Sequence, residues 1–210
     1  MAVEDWQHAG FALYVHWPFC ASKCPYCDFN SHVVEHVDQS AWADALVSEI
    51  RRVGAELGPR ALSSVFFGGG TPSLMPPATV AGVIDAATDV FSASNALEVT
   101  LEANPSSVEA DRFQGYRTAG GNRVSLGVQA LNDPDLRALG RLHSVAEART
   151  AIDVAQSTFD RVSFDLIYAR QHQTLADWDA ALTEALNIGT DHLSLYQLTI
   201  EPGTAFGARH

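Results

Sequence analysis

The segment Cys20-Ala-Ser-Lys-Cys24-Pro-Tyr-Cys27 holds all three cysteines of this 210-residue chain. Three thiolates at this spacing can surround one small inorganic cluster, and soft thiolate ligands favour iron–sulfur clusters or zinc over hard metals. A [4Fe–4S] cube is usually held by four cysteines, so three would leave one iron without a protein ligand and open to a substrate. An odd, tightly grouped set of cysteines is also a poor disulfide framework and is typical of a metal site in a reducing compartment.

A structural zinc site is the alternative interpretation of the same cysteines. It would need a fourth ligand, and three nearby histidines are candidates: His16, His32 and His36. Zinc sites usually pair their cysteines in CxxC units rather than in one continuous CxxxCxxC run, so the spacing favours the cluster while leaving zinc open.

Short β-rich runs alternate with helical patterns along the rest of the chain. The predicted strands are rich in Val, Phe, Leu, Ile or Tyr and lie at residues 11–16, 63–67, 98–102, 123–128, 161–166 and 192–198. Six such βα repeats predict a parallel sheet and an α/β fold. Because a closed TIM barrel has eight strands, we expect an open, partial (β/α)6 barrel.

Hydrophobic residues spaced three and four apart predict helices that pack against this sheet. They are Trp42, Leu46, Ile50, Val53 and Leu57, then Val80, Val83, Ile84 and Ala87, and then Trp178, Leu182, Ala185 and Leu186. Capping boxes are predicted at Ser106 with Glu109, Ser144 with Glu147, and Thr174 with Asp177. Gly189 is placed to end the last of these helices.

Polar or glycine-rich features follow five of the six predicted strands. They are the cysteine loop, Gly68-Gly69-Gly70-Thr71-Pro72, Glu102 with Asn104, Gln129 and Asp165. In a β/α barrel the carboxyl ends of the strands meet at one rim, where active sites are built. The sequence therefore predicts that these features form one site.

Charge and composition exclude some classes of function. With 13 basic and 25 acidic residues the formal net charge is −12, which disfavours nonspecific nucleic-acid binding because phosphates are recognised mainly by clustered Lys and Arg. No apolar run reaches the roughly 20 residues that a membrane span needs, and the polar N-terminus has no signal-peptide pattern. We expect a cytoplasmic protein without a nucleic-acid partner or a membrane span.

The CxxxCxxC run, with Tyr26 before its last cysteine and a strand before its first, resembles the signature of radical S-adenosylmethionine (SAM) enzymes. The resemblance implies that Cys20, Cys24 and Cys27 bind a [4Fe–4S] cluster and that SAM chelates the fourth iron through its amino and carboxylate groups. The reduced cluster then cleaves the carbon–sulfur bond of SAM and gives a 5′-deoxyadenosyl radical. Matching family positions imply a SAM-binding set of Tyr14, Tyr26, Gly69, Gly70, Thr71, Glu102, Gln129, Arg141 and Asp165. In that set the glycine-rich loop receives the SAM amino group and Glu102 the ribose hydroxyls.

Longer segments resemble one branch of this superfamily, the HemW-type haem chaperones, which are related to oxygen-independent coproporphyrinogen III oxidase. They are Tyr14-Val-His-Trp-Pro-Phe-Cys20, Cys27-Asp-Phe-Asn-Ser-His32, Phe67-Gly-Gly-Gly-Thr-Pro-Ser-Leu74, Leu101-Glu-Ala-Asn-Pro105, Ser125-Leu-Gly-Val-Gln129, Leu139-Gly-Arg-Leu-His143 and Leu193-Ser-Leu-Tyr-Gln-Leu-Thr-Ile-Glu-Pro-Gly-Thr204. The resemblance implies haem as cargo, apo-haemoprotein acceptors, respiratory ones among them, and an electron donor for the cluster.

Two departures from the branch pattern bear on the domain organisation and on one loop. We expect an N-terminal extension at residues 1–10 and the partial barrel at residues 11–210, without the family's C-terminal domain and its His-Asn-x-x-Tyr-Trp motif. The segment Tyr168-Ala-Arg-Gln-His-Gln-Thr174 replaces the family's more usual Tyr-Gly-Leu-Pro-Gly-Gln-Thr, which puts the local backbone geometry in doubt.

One position separates the two functions that the resemblance implies. The decarboxylases carry a fourth cysteine two residues after the third, and Phe29 stands at that position here. The sequence therefore favours a haem chaperone without coproporphyrinogen oxidase activity. The oxidative decarboxylase is the first alternative, and a zinc-stabilised binding module is the second.

Overall fold

The computed structural model describes Asp5, His8 and residues 10–105 and 110–209. In chain order its elements are β1 (Phe11–Trp17), β2 (Phe19–Cys20), β3 (His32–Val33), α1 (Gln39–Leu57), β4 (Ala61–Gly69), α2 (Pro77–Val90), β5 (Ser92–Ala103), α3 (Ala110–Thr118), β6 (Arg123–Gln129), α4 (Asp133–Ala138), α5 (Val145–Thr158), β7 (Arg161–Tyr168), α6 (Leu175–Ile188) and β8 (His192–Gln197). Short 3₁₀ turns lie at Pro72–Leu74 and Gly207–Arg209.

The main sheet contains six parallel strands in the order β1-β4-β5-β6-β7-β8. Each of the six predicted strands corresponds to one of them. Since β1 and β8 stand at opposite ends of the strand order, the barrel is open, and the predicted partial (β/α)6 barrel is confirmed. The second sheet, a parallel pair of the two-residue strands β2 and β3, was not predicted because strands of that length carry no readable alternation.

The core lies between the sheet and its helices. All four predicted core residues of α2 are buried, and on α1 Ile50 is buried while the rest of the predicted face is half-buried. On α6 Ala185 is buried, but the prediction that Leu186 packs in the core is wrong, since its side chain is 65% exposed. This helix connects β7 to β8, which stands at one end of the strand order.

Helix termini follow the predicted signals where they are described. The capping boxes of Ser144 with Glu147 and of Thr174 with Asp177 both form, and Gly189 ends α6 in the left-handed conformation with φ 76°. The predicted box of Ser106 with Glu109 lies outside the described residues. Within the described part of the chain, no helix combines the length and apolar character that crossing a membrane requires.

The loop between β7 and α6 accommodates its unusual sequence. Ala169 and His172 have positive φ values, 56° and 62°, and they stand where the family's more usual segment has glycines. The Arg170 side chain between them is buried, donates a hydrogen bond to the Ile167 carbonyl and forms an ion pair with Asp135 at 2.6 Å. The left-handed backbone is thus retained without glycine, and a buried arginine fastens the loop to α4.

Two helical glycines offer a matched test of how tightly α1 packs on α2. A Cβ atom at Gly54 of α1 would lie 1.9 Å from Cγ1 of Val90, whereas one at Gly82 of α2 would meet nothing within 4 Å. We expect Gly54→Ala to lower the free energy of unfolding by about 1–3 kcal/mol through overpacking. Gly82→Ala should raise it by roughly 0.5–1 kcal/mol, because alanine favours a helix over glycine. Urea denaturation measures both changes, and equal effects of the two substitutions would contradict the packing described.

Candidate functional site

An open cleft of about 360 Å³ lies at the carboxyl ends of the strands. All of the predicted site residues except Tyr14 line it: Cys20, Cys24, Tyr26, Cys27, Gly69, Gly70, Thr71, Glu102, Gln129, Arg141 and Asp165. These residues come from the cysteine loop, the ends of β4 to β7 and the segment before α5. The expectation that the polar features after the strands meet at one rim is therefore confirmed.

The cysteine loop leaves β1, passes through β2 and returns to the barrel through β3. Its ends are held by the pairing of Phe19 with His32 and by a hydrogen bond from the His32 N–H to the Pro18 carbonyl at 2.7 Å. Within the loop, the Cys27 N–H donates to the Cys24 carbonyl at 3.1 Å. The three thiols form no disulfide, are half-buried and line the cleft.

The alternative of a single bound zinc ion requires three or four ligands that converge on one point. Within the residues that the structure describes, no three His, Cys, Asp or Glu side chains approach closely enough to hold one ion. Thiolates around one zinc would stand roughly 3.8 Å apart, given zinc–sulfur bonds of about 2.3 Å. Of the candidate fourth zinc ligands, His16 already contacts the Asn30 carbonyl at 2.8 Å and the Tyr14 hydroxyl at 3.2 Å.

Arg141 joins the cysteine loop to the ends of β5 and β6. One terminal nitrogen donates to Sγ of Cys24 at 3.1 Å and lies 3.5 Å from the Tyr26 hydroxyl. The other donates to the Gly127 carbonyl at 2.9 Å and to the Asn104 side chain. A guanidinium group is charged at every physiological pH. The contact therefore places a fixed positive charge beside a cysteine sulfur.

Two carboxylates face the cleft from neighbouring parts of the sheet. Burial raises the pKa of Glu102 to about 7, with a further increase from the negative charge of Asp165 and an opposing hydrogen bond from the Gly69 N–H. Burial likewise raises the pKa of Asp165 to about 6, against the hydrogen bond from the Ser125 hydroxyl at 3.3 Å and the charge of Arg141. Each carboxylate can accept hydrogen bonds from the hydroxyl groups of a ligand.

The glycine-rich loop after β4 approaches the start of the cysteine loop closely. The Gly70 N–H donates to the Trp17 carbonyl at 2.6 Å and the Thr71 N–H to the Phe19 carbonyl at 2.8 Å. A Cβ atom at Gly70 would lie 2.6 Å from that same Phe19 oxygen. Glycine is thus required here for contact between two segments of the chain, in addition to the contact with the SAM amino group that the resemblance implies.

Tyr14 lies beside the cleft rather than in its lining. Its side chain is 56% exposed, its ring stacks on Phe66 at a centroid distance of 6.2 Å, and its hydroxyl contacts His16. Partial burial and the charge of Glu102 raise its pKa. Tyr14 therefore interacts electrostatically with the Glu102 carboxylate although it does not line the cleft.

The cleft lining includes residues outside the predicted SAM-binding set, among them Ser125, Tyr196 and Asn104, which the sequence placed at the rim without a role. Asn104 holds Arg141, and the Ser125 hydroxyl donates to Asp165. Partial burial raises the pKa of Tyr196, as do the charges of Asp165 and Glu102. Tyr196 lies near the carboxyl end of β8, a position that marks it as a candidate, whereas Ser125 is the third residue of β6 and its position carries no such signal.

Comparison with known proteins places this geometry in a wider context. The model of the radical SAM superfamily matches residues 14–185. "Radical S-adenosyl methionine domain-containing protein 1, mitochondrial" of Bos taurus is 44% identical over 194 residues, which cover 92% of this chain and 44% of that protein. "Heme chaperone HemW" of Haemophilus influenzae is 40% identical over 209 residues, covering 94% of this chain and 53% of that protein. The chain thus spans about half the length of the curated relatives it matches.

A solved structure gives the same picture in three dimensions. The coproporphyrinogen III oxidase (HemN) from Escherichia coli, described as a radical SAM enzyme, superposes with a TM-score of 0.81 at 28% identity. The alignment covers 94% of this chain and 46% of that one.

The two buried carboxylates predict how stability depends on pH. Their raised pKa values mean that the folded state holds more protons than the unfolded chain between about pH 4 and pH 7. The free energy of unfolding therefore falls as pH rises through this window. Glu102→Gln abolishes the part of this decrease that comes from ionisation of Glu102. The substitution should therefore raise the free energy of unfolding by on the order of 1–3 kcal/mol at about pH 8, with little effect at about pH 4.

Urea denaturation at the two pH values, without added ligand, measures this difference. Glu98→Gln, on the same strand, is the matched control. Burial opposes ionisation of Glu98 too, but Arg161 and Arg123 outweigh it and lower the pKa. Its substitution should therefore destabilise the protein at about pH 8. Equal effects of Glu102→Gln at both pH values would contradict the prediction.

Proposed function

The chain belongs to the radical SAM superfamily, and we propose that within it the protein is a haem chaperone, which binds haem and delivers it to apo-haemoproteins. The observation that carries the proposal is Phe29, which lines the cleft with 58% of its side chain exposed. The coproporphyrinogen oxidases place a cysteine at this position. Identity of 40% with heme chaperone HemW over 94% of this chain supports the same choice.

The residues of the cleft fit a [4Fe–4S] cluster and SAM. Cys20, Cys24 and Cys27 would hold the cluster, and the Arg141 guanidinium would balance its negative charge. When bound, the cluster and SAM supply one-electron reductive cleavage of a carbon–sulfur bond. The volume of about 360 Å³ lies within the range of small-molecule sites.

The charges in the cleft would orient SAM. Glu102 and Asp165 would accept hydrogen bonds from its ribose hydroxyls, a role that burial strengthens once the carboxylates ionise. The backbone from Gly69 to Thr71 borders the cleft next to the cysteines, where it would contact the amino acid part of SAM. Tyr26 and Gln129 would close the remaining sides. Tyr14, beside the cleft, would act through its proximity to Glu102.

The proposal extends to partners and location. Haem would be the cargo, and apo-haemoproteins, including respiratory ones, would be the acceptors. A reductase or small redox protein would donate electrons to the cluster. A cytoplasmic location suits three free cysteines because thiols stay reduced there.

Metal content tests the proposed cluster. Protein reconstituted anaerobically with iron and sulfide should hold about four of each per chain. Cys20→Ser, Cys24→Ser and Cys27→Ser should each lose most of both, because a hydroxyl is a poor ligand for soft iron–sulfur centres. Ser22→Ala, in the same loop and also lining the cleft, should keep them. Stoichiometric zinc in place of iron in every preparation would instead support the zinc-stabilised binding module.

Turnover assays separate the chaperone from the decarboxylase. A decarboxylase must bring its radical within contact of each propionate of the substrate, and Phe29 fills space at the cleft without supplying a thiol. We expect no conversion of coproporphyrinogen III in the presence of SAM, a reductant and a full cluster, together with stoichiometric haem binding in an absorbance titration. A known coproporphyrinogen oxidase serves as the positive control. Sustained formation of protoporphyrinogen by this protein would overturn the chaperone assignment while leaving its superfamily intact.

A further inference from the structure

Strand β6 ends in a strained turn at the edge of the cleft. Gln129 has φ 72°, a conformation that side chains rarely adopt. The Ala130 N–H donates across it to the Val128 carbonyl at 3.0 Å. A hydrogen bond between residues two apart around a positive φ is the γ-turn in its rare, strained form. Such backbone strain persists only where surrounding contacts hold it.

His143 supplies such a contact. Its side chain is 4% exposed, and its Nε2 lies 3.1 Å from the same Val128 oxygen. Because a carbonyl only accepts, this nitrogen must carry the proton and donate it. The ring lies beside Arg141, Glu147 and Asp133, and burial together with the Arg141 charge lowers its pKa. A neutral His143 ring with its proton on Nε2 thus donates a hydrogen bond to the Val128 carbonyl, which also accepts the hydrogen bond of the turn; this contact is called the clamp below.

The turn directs the Gln129 amide into the cleft. A Cβ atom at Gly127 would lie 3.1 Å from Nε2 of Gln129 and 3.5 Å from the Arg141 guanidinium, so glycine leaves room for both side chains. The Oε1 atom of Gln129 is buried and has no hydrogen-bond partner among the described residues. A buried acceptor without a donor is costly, and a ligand in the cleft that carries a hydroxyl or amino group would satisfy it.

We propose that His143 is a positioning residue: through the Val128 carbonyl it holds the turn that presents the Gln129 amide to a hydroxyl or amino group of SAM. The inference rests on the proposed SAM pocket for the identity of the ligand. The turn itself does not depend on that pocket.

A pair of substitutions tests the clamp. His143→Gln keeps an N–H at about the reach of Nε2, whereas the side chain of His143→Asn is too short to reach Val128. In reconstituted protein we expect His143→Asn to weaken SAM binding roughly tenfold, as for the loss of one hydrogen bond. Iron and sulfide content should be unchanged, and His143→Gln should bind SAM nearly as the wild type does. Equal losses in the two variants would overturn the proposal.

A double-mutant cycle asks whether His143 acts through Gln129. If it does, His143→Asn should cost little additional SAM affinity in a Gln129→Ala background, because the positioned amide is already gone. A purely structural role of His143 would lower affinity by the same factor in both backgrounds. That additive result would refute positioning.

Hydrogen exchange provides a readout that does not involve SAM. In peptides containing Ala130, exchange of the turn N–H should be faster in His143→Asn than in the wild type and close to wild type in His143→Gln. Glu102→Gln, which changes a pocket residue outside the turn, is the control, and exchange at Ala130 in this variant should match the wild type. If the wild type does not bind SAM, the proposed SAM pocket is wrong. Unchanged exchange in His143→Asn would overturn the role of His143 in holding the turn, whether or not SAM binds.

Discussion

The close approach of two backbone segments, the loop after β4 and the start of the cysteine loop, is the constraint on which the cleft depends. The parallel pairing of β1 with β4 continues past the end of the strands through the bonds from Gly70 to Trp17 and from Thr71 to Phe19. A side chain at Gly70 would strike the Phe19 carbonyl. Glycine therefore brings the cysteine loop against the sheet, and the adjacent strand ends complete the cleft.

The resulting cleft has a positively charged side and a side lined by carboxylates. On one side Arg141 carries a fixed positive charge against Cys24, and on the other Glu102 and Asp165 share a buried region that raises the pKa of both. Grouping two carboxylates in this way costs stability at neutral pH. Proteins retain such arrangements where ligand binding or catalysis requires them, and a ligand with hydroxyl groups would compensate the carboxylates directly.

Backbone strain is concentrated at the same rim. Within the described residues, the non-glycine positions with positive φ are Gln129, Ala169 and His172. The first is the last residue of β6 and the other two follow β7, so all three lie at or just beyond the carboxyl ends of strands. Each has a buried polar neighbour that holds the loop, His143 for the first and Arg170 for the others. Packing of the hydrophobic core elsewhere in the barrel offsets the free energy of this strain.

Much of this organisation follows from the sequence alone. Alternating β-rich runs and helical periodicity determine six parallel strands, and parallel strands bring their carboxyl ends to one edge, which is why the cysteine loop, Glu102, Gln129 and Asp165 could be expected to meet. What only the tertiary structure decided are the contacts between segments distant in the chain: Arg141 on Cys24, Gly70 against Phe19, and His143 on Val128. The exposure of Leu186 belongs to the same class. Local patterns report which face of an element is apolar, whereas distances between side chains from different elements depend on how the elements pack, which no local pattern encodes.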